Sequence, residues 1–459
     1  MESKKKYTGF FQMLRYKATN SKTAACFIYS ENGFIKKVTF GSLFSLISEK
    51  AEYFKKQRFS SAGLITLSTL ETIINFFALI ISGKKTCLID SSLSVDNVSS
   101  LLKITDMEDI IFPDDFYSDA EEKDFKLSLS PYTDSSTSEE GEILFFTSGT
   151  SNQSKPVVLT SESLMASAWN GQCMLSCNEG DVILSEIPLA HVFGFVCTLL
   201  WPLAYGATIA LGSGIRTLIS DIATFKPTIF PLVPSLAKYL AASKAFNPEL
   251  KTILVGAGPI DQATIGLIKA SGISLSFGYG LTETSSGVAI SVNGENPYAL
   301  SLCPDVTVKI QDGEILINSS TLMKGYYKNS EATKKAIIDG YLHTGDMGYL
   351  DSEGRLFVTG RKNDTLVLAN GTKINCVEYE TLLSKYLSIN DYALGLYQGK
   401  ATLFAYSDNK TLLNKIFEEV ALFNKTLPFS QQITNIVIKR TPLIRTRIGK
   451  IRRYLLKED

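Results

Sequence analysis

Short apolar, β-rich runs alternate with helix-length amphipathic segments along most of this chain, and that alternation restricts its fold more than any other feature. Residues 38–57, VTFGSLFSLISEKAEYFKKQ, open as a strand and continue as a helix, with Leu43, Leu46, Ile47 and Ala51 at helical spacing. GLITLST (63–69) leads into a helix over 71–82, KTCLIDSS (85–92) into a helix near 95–104, and DIIF (109–112) closes the series. Strand–helix–strand order of this kind predicts a parallel sheet covered on both faces. A polar stretch without periodicity, PYTDSSTSEE (131–140), reads as a surface linker. The alternation then resumes in EILFFT (142–147), a helix near 161–175, VILSEI (182–187), a helix near 195–205, ATIALG (207–212), TIFPLV (228–233), KTILVG (251–256) and ISLSFGYG (273–280).

From about residue 305 the texture changes. VTVKI, GEILINSS and YLHTGDMGYLDSEGRLFVTG are strand-like runs joined by tight turns, which predicts a small antiparallel or barrel-like layer. The last 99 residues, 361–459, have strands and helices of their own. The expected division is therefore a large α/β body over 1–360 and a small α+β domain over 361–459, which suits 459 residues at roughly 150 per unit.

Composition excludes several classes. Lys plus Arg number 46 and Asp plus Glu 46, so no net field draws a polyanion and nucleic acid is not an expected partner. Two histidines and seven scattered cysteines without a CxxC pair leave no zinc centre and fit a reducing cytoplasm. The basic start lacks the apolar core of a signal peptide. TIINFFALIIS (72–82) is too short to span a bilayer and FVCTLLWPLAYGATIAL (195–211) is interrupted by Pro202 and Gly206, so both read as buried elements.

The chemistry concentrates in LFFTSGTSNQSKPVVLT (144–160), where an apolar strand enters a loop of hydroxyls, amides, a glycine and Lys155. Such a loop presents backbone N–H groups and a cation to a polyphosphate. It lacks the Walker pattern, and taken alone a Ser/Thr-rich surface turn explains it equally well. In context it resembles the phosphate-binding signature TSGTTGxPKGV of the adenylate-forming superfamily, the acyl- and aryl-CoA ligases, luciferases and adenylation domains. Thr147, Ser148, Gly149, Thr150 and Lys155 match, Ser151 lies within the loop, and Asn152, Ser154 and Pro156 depart from the pattern.

Four further segments match in the family's order. FGYGLTET (277–284) resembles YGxTE, which implies adenine stacking on Tyr279 between Gly278 and Gly280, a phosphate or carboxylate contact for Thr282, and a magnesium ligand in Glu283. YLHTGDMG (341–348) resembles YRTGD and makes Asp346 the ribose anchor, with His343 in a structural role. In GRKNDTLVLANGTKIN (360–375) the resemblance gives Arg361 a ribose or phosphate contact, Asn363 the hinge position and Gly371 the loop used in the thiol step. PLIRTRIGKIRR (442–453) resembles the terminal GKxxR motif and nominates Lys450 over a merely solvated basic tail.

The resemblance, running from about residue 38 to 455, implies a two-step reaction on ATP and Mg2+. A carboxylate oxygen attacks the α-phosphorus, pyrophosphate leaves, and a thiol then displaces AMP from the acyl-adenylate. Two anions meet in the first step, so a cation is required on the attack path; Lys450 fills that role, assisted by Thr282 and by magnesium at Glu283. The mobile C-terminal domain would then withdraw Lys450 and bring in the Gly371 loop. His191, in IPLAHVFGF (187–195), resembles the residue beside the acyl pocket, with a core histidine as the alternative. That segment has no aspartate to hold an α-ammonium, which favours a fatty or aryl acid. CoA is the expected acceptor. Loading of a phosphopantetheine carrier protein is the second reading and a non-catalytic nucleotide-binding relative the third.

Overall fold

A computed structural model of the chain describes residues 5–112, 140–147, 155–258, 260–292, 296–362, 365–368, 373–398, 400–445 and 451–456. They form two compact units, one within Met1–Thr147, Lys155–Thr307 and Asn318–Lys335, the other within Val308–Ile317 and Ala336–Asp459.

The first unit holds two sheets. The six-stranded sheet runs, in spatial order, Gly325–Tyr326, Pro156–Leu159, Ile143–Phe146, Lys85–Asp90, Ser61–Thr66 and Asp109–Ile111. Its last four strands are parallel, as the strand–helix alternation predicts, and Pro156–Leu159 turns back antiparallel on Ile143–Phe146. The nine-stranded sheet is parallel from Ala25–Glu31 through Thr208–Leu211, Val182–Ser185, Ile229–Leu232 and Thr252–Val255 to Ser274–Leu281, with antiparallel strands added at both edges.

Local sequence accounts for the helices over these sheets. Thr39 starts the helix Phe40–Lys55 by accepting the Ser42 N–H at 3.2 Å. Leu43, Ile47, Ala51 and Phe54 are buried along one face, while Leu46 is only partly covered. The helix Leu70–Ile81 is buried from Thr72 to Ile80, which explains a run apolar on every side. Residues 195–205 begin as a π-helix, Phe195–Leu200, before the helix Trp201–Tyr205. Pro202 has no N–H to continue an i→i−4 ladder, and the wider turn lies just ahead of it. Gly206, at φ 91°, ends the helix in the left-handed region.

An aromatic cluster ties these layers together. Phe10 lies 5.4 Å from Phe77, Phe76 lies 4.8 Å from Phe195, and Phe195 lies 5.4 Å from Phe145, between ring centroids. Each ring is fully buried, worth about 1.5–3 kcal/mol by removal from water. Phe145 belongs to the strand that leads into residue 147, so the cluster fixes where the chain leaves the sheet. Glu140, the final residue of the expected surface linker, instead caps the helix Phe10–Asn20. Its carboxylate accepts the Phe11 N–H at 2.7 Å and the Phe10 N–H at 3.1 Å. The rest of that linker lies outside the described residues.

In the second unit, Thr307–Gln311, Glu314–Asn318, Tyr341–Leu350, Ile337–Ile338 and Leu356–Arg361 build the small layer expected after residue 305. Asp312 (φ 51°) and Gly313 (φ 78°) make its first tight turn, both in the left-handed conformation that such hairpins need. A second sheet pairs Asp391–Tyr397 antiparallel with Lys400–Tyr406, which pairs parallel with Asn435–Ile438. The helices Cys376–Leu383 and Lys410–Asn424 contribute Leu383, Ile416, Val420 and Phe423 to its core. No helix of the described residues is long and apolar enough to cross a membrane, and all seven cysteines are free thiols.

Candidate active site

In the first unit, the ends of the strands Ile143–Phe146 and Pro156–Leu159 are locked to each other. Thr147 N–H donates to the Lys155 carbonyl at 3.1 Å, and Lys155 N–H donates to Thr147 Oγ1 at 3.2 Å. The pair closes the base of the segment carrying Ser148, Gly149, Thr150 and Ser151, which lie outside the described residues, as does Asn152. Pro156 is explained by its position. It is the first residue of its strand, where a missing N–H is tolerated.

Tyr279 stands on the strand Ser274–Leu281, next to a bulge against Ser286–Ser291. Gly278 and Gly280 differ in what they require. A Cβ at Gly278 would meet Leu254 at an ordinary 3.7 Å, whereas at Gly280 it would overlap the Ser286 carbonyl oxygen. Gly280 is therefore needed for the close crossing of the two strands.

The turn after this strand is a 3-10 segment, Thr282–Thr284, followed by Ser285 and Ser286 at φ 51° and 100°. For residues bearing a Cβ, such conformations cost on the order of 1–3 kcal/mol each. Several contacts offset that cost. Buried Thr284 Oγ1 accepts the Leu281 N–H at 2.9 Å and lies 2.9 Å from the Ser286 carbonyl, and Ser285 Oγ donates to Ser163 at 3.0 Å. Thr284, Ser285 and Ser286 thereby set the orientation of Thr282 and Glu283.

Glu283 is held from a direction the sequence does not reveal. Tyr326 O–H donates to Glu283 Oε1 at 2.9 Å, while Met323 N–H donates to the Glu283 carbonyl at 2.8 Å. Burial, and then the charge of Glu283, push the Tyr326 phenol well above its ordinary pKa, so it remains a neutral donor. Lys155 Nζ sits 4.8 Å from the centroid of the same Tyr326 ring. One tyrosine thus fixes a carboxylate and abuts a cation, Lys155, which is largely exposed. Among the described residues no cluster of three or more His, Cys, Asp or Glu could hold a metal. Glu283, one hard oxygen donor, fits a magnesium ion that arrives with nucleotide phosphates.

His191 precedes the short helix Val192–Gly194, and its Nε2 lies 3.8 Å from Asp90 Oδ2. Asp90 ends the strand Lys85–Asp90 and takes the Ser92 N–H and hydroxyl on its other oxygen, at 2.9 and 2.8 Å. Glu186, just beyond the strand Val182–Ser185, is a carboxyl without a sequence signal. Burial, reinforced by the charge of Asp221 and opposed by the Gly214 N–H, pushes it up to about 7.

The second unit contains the other described candidates. Asp346, only 3% exposed on the strand Tyr341–Leu350, pairs with Arg361 on the neighbouring strand. Arg361 Nε lies 2.9 Å from Asp346 Oδ1. His343 faces Glu314 at 3.9 Å, and Glu314 also accepts the Gly345 N–H at 2.9 Å and lies 3.3 Å from Lys362 Nζ. These contacts fix the turn just before Asp346. Asn363, Gly371 and Lys450 lie outside the described residues.

Sequence reasoning missed Tyr326, Asp90 and Glu186. Gly325 and Tyr326 carry only the weak signal of a glycine, at φ 155° against Thr333, beside two tyrosines.

The chain is an adenylate-forming enzyme, an AMP-forming ligase of acids and thiols. The sequence pattern of the AMP-binding enzyme family matches residues 15–327, and the chain belongs to that family. Among its relatives is the 2-succinylbenzoate–CoA ligase of Listeria monocytogenes serovar 1/2a, 27% identical over 82% of this chain and 84% of the relative. The long-chain-fatty-acid–CoA ligase of Bacillus subtilis is 28% identical over 69% and 61% of the two chains. The fold matches O-succinylbenzoate Coenzyme A synthetase from Bacillus subtilis in complex with AMP, with a TM-score of 0.82, 21% identity, and 97% and 98% of the chains covered.

Proposed function

We propose that this protein condenses an aromatic carboxylic acid of the 2-succinylbenzoate type with MgATP to give an acyl-adenylate and pyrophosphate, and then transfers the acyl group to CoA with release of AMP. The Lys155–Tyr326–Glu283 arrangement carries the reading. It brings Lys155, which would meet phosphate, and Glu283, which would hold magnesium, to one aromatic ring. Magnesium would supply charge neutralisation between the phosphates. Glu283 would hold it while Tyr326 keeps that carboxylate oriented. Asp346 would take both ribose hydroxyls, with Arg361 fixing its rotamer and contacting ribose or phosphate. Lys450 would meet the incoming carboxylate and the α-phosphate. The Gly371 loop would serve the thiol step, with Asn363 as hinge.

The preference for an aryl over a fatty acid is supported by relatives at 27–29% identity whose names specify 2-succinylbenzoate. His191, braced by Asp90, would line the acyl side. Seven free thiols support a reducing cytoplasm as the setting.

Acid-dependent exchange of labelled pyrophosphate into ATP across 2-succinylbenzoate, benzoate, fatty and amino acids tests the reading. The aryl acids are expected to give the highest kcat/KM, and CoA to convert the bound adenylate to thioester. Exchange with fatty acids alone would overturn the substrate class. Transfer to a phosphopantetheine carrier but not to CoA would replace the acceptor. No exchange with any acid would leave a nucleotide-binding protein without the activity.

A further inference from the structure

Against the sheet that carries Tyr279 lies a small space that none of the roles above uses. It is a cavity of about 30 Å3, walled by Ser167 and Gly171 of the helix Ser161–Met174, by Cys197 and Trp201 beyond His191, and by Leu254 and Gly287 of the sheet. A water-sized group needs about 10–15 Å3, so the space takes about two. Its wall is fixed, because Trp201 Nε1–H donates to Gln172 Oε1 at 2.8 Å. Among the described residues none that lines it is charged, and burial keeps Cys197 a neutral thiol, its pKa pushed up to about 12 despite a hydrogen bond with Ser286.

Three buried polar side chains stand around this apolar space without partners. Ser167 lines it, 3% exposed, and its Oγ bonds no protein group. Asn170, fully buried, lies three positions along the same helix and next to Gly171; neither its Oδ1 nor its Nδ2 is hydrogen-bonded. Ser276 pairs in register with Leu254 and therefore shares its face of the sheet, and its buried Oγ is also unbonded. Burying polar groups unbonded is costly, and alanine or valine would avoid the cost at each position. Together they fit a polar occupant.

The cavity borders the acid side of the site. Leu254 is the side chain beside Gly278, Gly287 follows Glu283 by four residues, and Cys197 follows His191 by six. We propose that Ser167 and Gly171 are specificity-determining residues, the first hydrogen-bonding and the second leaving room for one uncharged polar group of hydroxyl size, carried by the acid at the end remote from its reacting carboxylate. This assignment rests on the proposed activation of an aryl acid. An ionised second carboxylate finds no cation in this wall and would lie outside it.

The test compares the full native chain with Ser167→Ala and Gly171→Ala in acid-dependent pyrophosphate exchange. The acids are benzoate and its hydroxyl and methyl derivatives at each ring position, and melting temperature is read alongside. A site built to bond a hydroxyl rejects the analogue without one, so the native chain is expected to prefer one hydroxybenzoate over its methyl counterpart by about tenfold or more in kcat/KM. Ser167→Ala deletes a hydroxyl that holds nothing in the fold, and should shrink that ratio to about twofold or less. A Cβ at Gly171 would meet Trp201 at an ordinary 3.7 Å, so Gly171→Ala should fold and, with a better helix former in place, melt at a higher temperature. It should nonetheless lose about tenfold more activity on the hydroxybenzoate than on benzoate.

An unchanged hydroxyl-to-methyl ratio in Ser167→Ala would overturn the proposal. So would a stabilised Gly171→Ala whose losses are equal across the acids, which would mark the cavity as a packing feature. Failure of the aryl-acid reading shows separately, as native exchange with fatty acids and with none of the benzoates. The same ratio is then read on fatty acids with and without a terminal hydroxyl, where equality between native and Ser167→Ala again overturns the assignment. A native chain that exchanges with no acid overturns both.

Discussion

Lys450→Ala is expected to lower acid-dependent pyrophosphate exchange by about 10²–10³, while thioester formation from supplied acyl-adenylate stays within about twofold of native. The split follows from where charge accumulates. In the first half-reaction a carboxylate approaches the α-phosphate of a tetra-anionic nucleotide, and a cation on that path acts mainly in the transition state. In the second, a thiol attacks a carbonyl already activated by its AMP leaving group, and no second anion has to be brought to the phosphorus. Lys450→Arg is expected to recover only part of the loss, because a planar fork does not replace a compact ammonium between two oxygens. Stopped-flow or quench assays of each half-reaction check this. Comparable losses in both halves would remove the division of labour between tail and body.

Asp346→Ala should behave in the opposite way, damaging both half-reactions. Asp346 is almost fully buried and pairs with Arg361 at 2.9 Å. Charge-assisted hydrogen bonds contribute about 1.5–3 kcal/mol each, so losing two to the ribose predicts a drop in kcat/KM for ATP of about 10²-fold or more. The nucleotide stays bound through both steps, hence thioester formation from supplied adenylate should weaken too, chiefly through KM. Truncation also removes the buried carboxylate that pairs with Arg361, so the variant should melt at a lower temperature. Asp346→Asn, which keeps one acceptor, should fall between. Normal AMP affinity in Asp346→Ala, measured by equilibrium dialysis, would displace Asp346 from the ribose.

These predictions draw on features of unequal visibility in the sequence. The helices were readable where a single face is buried, as with Leu43, Ile47 and Ala51, because period and burial coincide. The parallel order of the sheets followed from alternation alone, and the tight turn at Asp312–Gly313 from its composition. The YGLTE segment was readable because Tyr279, Thr282 and Glu283 are neighbours along the chain.

What escaped is what the fold joins from far apart. Tyr326 reaches Glu283 across 43 positions and Arg453 reaches Glu380 across 73. Glu140 caps a helix 130 residues earlier. No periodicity encodes such a pair, and each partner taken alone is an ordinary polar residue. Pro156 shows the converse. It departs from the family's glycine, yet as the first residue of its strand it asks for no hydrogen bond it cannot make.

The acyl-adenylate itself is the central claim, and oxygen labelling tests it most directly. The acid is supplied with 18O in its carboxylate, together with MgATP and CoA, and the nucleotide product is weighed by mass spectrometry. Attack by the carboxylate on the α-phosphorus, followed by thiolysis at the carbonyl carbon, leaves one labelled oxygen in AMP and none in pyrophosphate. Unlabelled AMP, or label recovered in inorganic phosphate beside ADP, would mean that the carboxylate never joined the α-phosphate and would contradict the account.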